Sequence, residues 1–276
     1  MQRRHLALIL GGLGWIATGM GAAAQENIVS IAEINQVDAQ GNPTFPGLQT
    51  MDRYTIQGRV LNEPHVFNGL NANGELDTSF ILFVQDGTGG IQVYSGAWYG
   101  GGINSYPDKL VPGHLVMVTG LTGHFGGKTN INERHNPDQK FEITVATTPP
   151  EEPEPLAIES LAGLNSFDAT RQTGGEYYQG RLVVLKNVRI VEGDWVPGTT
   201  LTVADVAGHT FAVELRHGTK IGESPQPQGW LDIVGVFNQE DPEPPFTEGY
   251  RLWPRSIADF KPSSSPSAAQ GWHDYQ

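Results

Sequence analysis

The stretch Phe80-Ile-Leu-Phe-Val-Gln-Asp-Gly-Thr-Gly-Gly-Ile-Gln-Val-Tyr94 constrains the fold of this chain more than any other. Two runs rich in β-branched and aromatic residues, Phe80 to Gln85 and Ile91 to Tyr94, flank Asp86-Gly-Thr-Gly-Gly90. An aspartate side chain accepts hydrogen bonds from the backbone that follows it and glycine accepts positive φ, so the composition predicts a hairpin. A weaker copy stands at Leu201 to Leu215, with Asp205 and Gly208 in the places of Asp86 and Gly89. The chain reads as one β unit used twice.

Length agrees with that reading, since 276 residues suffice for two domains of about 100 to 150 residues. With 35 glycines, 19 prolines, 17% charged residues and no long helical periodicity, short strands joined by frequent turns are expected. In the first unit the strands are Arg53 to Leu61, the hairpin, Leu115 to Gly120 after the Pro112-Gly113 turn, a second hairpin with its tip in Thr122 to Lys128, and Lys140 to Ala146. The proline- and glutamate-rich run Thr147 to Pro155 cannot pair into a sheet and predicts a stiff spacer. The plan then restarts: Leu156 to Leu161 echoes Ile28 to Ile34, and Leu182 to Val191, Leu201 to Leu215, Gly229 to Gly235 and Tyr250 to Phe260 follow. The expected division is a leader at 1–24, a first barrel at 25–148, a linker at 149–155, a second barrel at 156–260 and a disordered tail at 261–276. The fold class is all-β, two tandem five-stranded Greek-key barrels on a Pro/Glu linker.

Arg3 and Arg4, the apolar stretch Leu6 to Met20 and the small residues Ala22-Ala23-Ala24 make the three-part pattern of an export signal. The apolar stretch is short for the ~20 residues of a membrane span, and glycines interrupt it. An exported chain without cysteine has neither disulfides nor an acylation site, which suits a bacterial periplasmic or extracellular protein. The formal charge of −13 grows more negative when the two leader arginines are removed, and no basic stripe offsets it. Phosphate neutralisation supplies most non-specific nucleic-acid affinity, so the charge argues against tight polyanion binding.

Phe83-Val-Gln-Asp-Gly-Thr-Gly-Gly-Ile-Gln-Val-Tyr94, followed by Val111-Pro-Gly-His-Leu-Val-Met-Val-Thr-Gly120, closely resembles the OB-fold modules of secreted bacterial proteins, many of which precede an extracellular endonuclease/exonuclease/phosphatase domain. Tyr178-Gln-Gly-Arg-Leu-Val-Val-Leu-Lys-Asn-Val188 resembles the start of the second module in such proteins. The resemblance implies OB-like barrels. It carries over no catalytic residue, because this sequence has no nuclease domain downstream.

OB folds bind ligands on their second and third strands and on the loops beside them. That rule selects the Phe80 to Tyr94 hairpin, the Asn62 to Thr78 loop and the tip with His124, Phe125 and Lys128. The candidate ligand-binding residues are Tyr94, Trp98, Tyr99 and Phe125 for stacking, with Arg59 and Lys128 as cationic partners. Thr122 to Thr129 falls short of a phosphate-binding loop, since Thr122 stands where its first glycine belongs and Asn130-Ile-Asn follows where a helix must begin. No catalytic residue, metal ligand or cofactor motif is assigned. The expected role is a secreted, non-catalytic binding protein for an oligonucleotide, a glycan or another exported protein. The alternative is an accessory or cryptic metal-dependent member of a nuclease or phosphodiesterase system, which requires several of Asn71, Asn73, Asp77, Asp86 and His135 to converge.

Overall fold

The computed structural model describes residues 28–97, 101–107 and 109–264. The leader, Trp98, Tyr99 and residues 265–276 lie outside that set.

The first unit opens with Ile28 bridged in parallel to Thr55 and one turn of helix, α1 (Ile31–Ile34), capped by Ser30. Its strands are β1 (Tyr54–Val60), β2 (Phe80–Gln85), β3 (Gly90–Ser95), β4 (Leu115–Phe125) and β5 (Lys128–Asn132), with β6 (Glu142–Val145) added outside β4. The order β1-β2-β3-β5-β4 closes through β1–β4 pairing, and β3 and β5 are parallel. The expected five-stranded barrel with OB connectivity is therefore present. One long strand, β4, serves two neighbours within the barrel, β1 with its first half and β5 with its second, and carries β6 on its outer edge. It changes partner beside Gly120, where a Cβ would lie 2.7 Å from Ile131 and Phe141.

The second unit repeats this connectivity with β7 (Leu156–Ile158), α2 (Gly174–Tyr178), β8 (Leu182–Glu192), β9 (Thr200–Ala204), β10 (Thr210–Glu214), β11 (Leu231–Gln239), β12 (Tyr250–Trp253) and β13 (Phe260–Pro262). Here β8 pairs with β11 and β9, β10 runs parallel to β12, and the barrel closes again. Lys261 and Pro262, placed in the tail by the sequence reading, pair with Asp232 and Leu231. Among the described residues no helix is long and apolar enough to cross a membrane.

The two hairpin aspartates act alike. Asp86 Oδ1 accepts from the N–H groups of Thr88 (2.6 Å) and Gly89 (2.8 Å), and its Oδ2 accepts from Ile31 N at the start of α1 (3.1 Å). Asp205 accepts from Ala207 N and His209 N, and its Oδ2 accepts from Leu161 N (3.0 Å). Each carboxylate thus closes its own turn and ties the unit's opening segment to its hairpin. Burial alone pushes Asp205 up, but the donors from Leu161, His209 and Ser160 outweigh it and hold the carboxyl at about 2.

The glycines between them differ from expectation. Gly208 has a φ of +88°, but Gly87, Gly89 and Gly90 do not enter the left-handed region. Gly90 is required by contact instead: a Cβ there would stand 1.9 Å from the carbonyl oxygen of Gly180 in the second unit.

Each barrel has its own core. Ile56, Leu82, Val93, Val118 and Ile131 belong to the first, and Val183, Val203, Phe211, Ile233 and Leu252 to the second. A third cluster lies between them, with Leu61, Phe67, Ile81 and Phe83 from the first unit packed on Leu182, Val234, Val236 and Trp253 from the second. The barrels are joined by a dry interface as well as by the linker. The linker itself is pinned, with Glu151 N donating to Gly113 O and Glu152 paired with Arg255.

Candidate ligand cleft between the barrels

On β2 and β3, Phe80, Leu82, Val84, Ile91 and Val93 point into the first core. Strand alternation sends Ile81, Phe83 and Tyr94 the other way, onto the face where an OB barrel would receive its ligand. In this chain that face holds the third cluster. The rings of Phe83 and Phe67 meet Trp253 at 6.1 and 5.2 Å between centroids, and Trp253 Nε1 donates to Glu214 at 2.9 Å. Polar contacts seal the rim: Leu182 N donates to Gln85 Oε1, Arg216 Nε to Phe67 O, and Arg255 Nη1 to Leu61 O.

The residues chosen from sequence do not share one open surface. Lys128 is only 4% exposed and belongs to the interface, its Nζ donating to Gln239 O (2.6 Å) and Glu240 Oε1 (2.9 Å). Burial lowers its pKa, and Glu240 opposes that shift. Arg59 donates to Gly113 O (2.9 Å) and pairs with Glu151 of the linker (3.0 Å). Tyr94 is half-buried against the third cluster. Phe125 is 67% exposed. Trp98 and Tyr99 lie outside the described residues. Three residues of the metal alternative are held in their own turns: Asn71 Oδ1 accepts from Asn73 N and Glu75 N, Asp77 accepts from Ser79, and Asp86 closes the hairpin. Among the described residues no group of three or more His, Asp or Glu side chains is placed to hold a metal ion.

Beside the sealed face a cleft of about 420 Å³ remains open. One wall is α1 with the residues after it and the Thr88–Gly89 turn; the other is the 169–171 loop, Tyr177 of α2 and Arg181. The loop is fixed by Asp168, which accepts from the hydroxyls of Thr170 (2.7 Å) and Thr173 (2.8 Å) and from their N–H groups, and is held at about 2 by those donors. Arg171 has a φ of +55° and pairs with Glu176. Burial raises the Glu176 pKa, against the pull of Arg171 and of the Tyr250 hydroxyl 2.8 Å away. The Arg171 charge is therefore matched inside the second unit.

Arg181 differs. Its Nη2 donates across the cleft to Thr88 O (2.6 Å), its guanidinium lies 4.9 Å from the centroid of the Tyr177 ring, and its buried Nε has no acceptor among the described residues. No described carboxylate comes within ion-pair distance of it, whereas Arg171, Arg216, Arg251 and Arg255 each have one. Sequence reading missed this residue because its role arises only when Gly180 docks on Gly90 and brings Arg181 to the first hairpin.

No protein-family model matches the chain, and no curated protein matches it. Among solved structures, a murine DNA-binding protein bound to double-stranded DNA aligns at 14% identity over 80% of this chain and 99% of that one, with a TM-score of 0.34, too low to argue fold or ligand from.

Proposed function

We propose that this chain is an exported, non-catalytic binding protein whose two OB-like barrels act as one ligand-holding body, with a glycan as ligand in the cleft between them. One observation carries the reading: the first barrel's β2–β3 face is filled by Trp253, Val234, Val236 and Leu182, while the polar cleft beside it is open. OB barrels serve oligosaccharides as well as oligonucleotides. The covered β2–β3 face removes the platform on which an OB barrel stacks bases, and a formal charge of −13 disfavours a polyanionic strand. The leader pattern supports export, and so does the likeness of the hairpin to modules of secreted proteins.

Calorimetric titration of residues 25–276 with an oligosaccharide panel and a single-stranded oligonucleotide tests the reading. A saturable glycan is expected, lost when Ala169→Trp fills the cleft and kept in Phe125→Ala. Oligonucleotide binding that survives Ala169→Trp would overturn it.

A further inference from the structure

We propose that the cleft selects glycans bearing an anionic group, a carboxylate or a phosphate, and that Arg181 is the residue that reads it. This rests on the glycan reading above and adds the charge of the ligand.

Several polar side chains on the cleft walls already have protein partners. Asn35 is occupied, its Nδ2 donating to Gly90 O (2.8 Å) and its Oδ1 accepting from Thr129. Thr88 Oγ1 donates to Asp86 (2.7 Å) and accepts from Ala32 N (3.1 Å). Thr170 Oγ1 donates to Asp168, and Arg171 is paired with Glu176. The nearby acids are occupied too: Asp86 closes the hairpin turn, Asp38 accepts from Gln40 N and Asn42 N, and Asp168 holds its own loop. Glu33, on α1, makes no ion pair with Arg181.

What remains are the neutral side chains of Gln36, Thr44 and Tyr177, suited to sugar hydroxyls, and the donors of one guanidinium that has no ion pair among the described residues. Its side chain makes a single hydrogen bond to protein among the described residues, and the Tyr177 ring lies against it. A guanidinium offers several donors and no acceptor, so its complement is a group with acceptors only. Carboxylates and phosphates fit that fork best. In a chain of charge −13, Arg181 is a cation on the cleft wall that no direct ion pair cancels.

The test uses oligogalacturonide against its neutral methyl ester, with mannose 6-phosphate against mannose as the phosphate arm, all by calorimetry on residues 25–276. The acidic member of at least one pair is expected to bind tenfold or more tighter than its neutral partner, a preference that falls with added salt. Arg181→Gln should erase the preference and Arg181→Lys should keep part of it, with unfolding midpoints compared to confirm that both variants fold. The first pair isolates a carboxylate and the second a phosphate. Equal binding of charged and neutral sugars overturns the anion inference and leaves the glycan reading standing. Absence of binding by every sugar overturns both. A preference that persists in folded Arg181→Gln removes Arg181 from the role.

Discussion

In the first barrel β2 runs Phe80-Ile-Leu-Phe-Val84 without a polar break, and residues on both sides of the strand are buried. In the second, β9 and β10 alternate, with Leu201, Val203, Phe211 and Val213 inward, while Thr200 and Thr210 are exposed and Thr202 and Ala212 half-exposed. The two hairpins share connectivity and an aspartate that closes the turn. They differ in what stands on the outer face, apolar in one and small or polar in the other. The difference teaches that an OB-like barrel becomes a docking platform or a wet surface according to a few outward side chains, with the barrel unchanged. A strand that is apolar at every position is buried on both faces, and Leu182 and Val184 on β8 with Val234 and Val236 on β11 supply the matching partner surface.

Breaking the docked face should have the largest effect. Trp253→Ala removes a ring 2% exposed that touches Phe67 and Phe83, and a loss of about 3–5 kcal/mol is expected in denaturant unfolding. The equivalent cut on the wet hairpin, Thr202→Ala, should leave the midpoint within about 0.5 kcal/mol. Two glycines sharpen the contrast next. Gly180→Ala places a Cβ 2.3 Å from Gly90 O at a φ of +77°, so backbone must move and roughly 2–3 kcal/mol should be lost. Gly208→Ala meets nothing within 4 Å at a φ of +88°, and only the left-handed penalty of about 1–2 kcal/mol applies.

The aspartates should give a smaller effect. Asp86→Ala and Asp205→Ala each remove a turn closure and a link to the opening segment, at a cost of about 1–2 kcal/mol. Asp205 adds a pH signature. Its folded pKa lies below the unfolded value of 3.8, so the stability it contributes is fully present above about pH 4 and is lost as pH falls through 2. Asp205→Asn should flatten acid unfolding in that window. Smallest of all, Phe125→Ser on the exposed hairpin tip should change the midpoint by less than about 0.5 kcal/mol.

Turn chemistry and strand composition were enough to read the barrels, because hairpins are local. The Asp86 and Asp205 turns were legible for the same reason. Their second contacts, to Ile31 and Leu161, were not, since nothing local ties residues that far apart in sequence. The covered face did have a signal, the unbroken apolar run in β2, which the rule that OB barrels bind on their second and third strands overrode. Lys128 then looked like a cation for a ligand, although its partner is Glu240 in the other barrel. Arg181 carries no local signal within the Tyr178 to Val188 stretch, because its contact with Thr88 depends on two units meeting. Local pattern finds units, and the candidate cleft lies between them.

Differential scanning calorimetry of residues 25–276 tests most directly whether the two barrels are one body joined through the first barrel's ligand face. A single transition is expected, with calorimetric and van't Hoff enthalpies equal, and it should split when Trp253 is replaced by alanine. Two independent transitions in the unaltered chain would contradict the docked face and return β2 and β3 of the first barrel to the list of open surfaces.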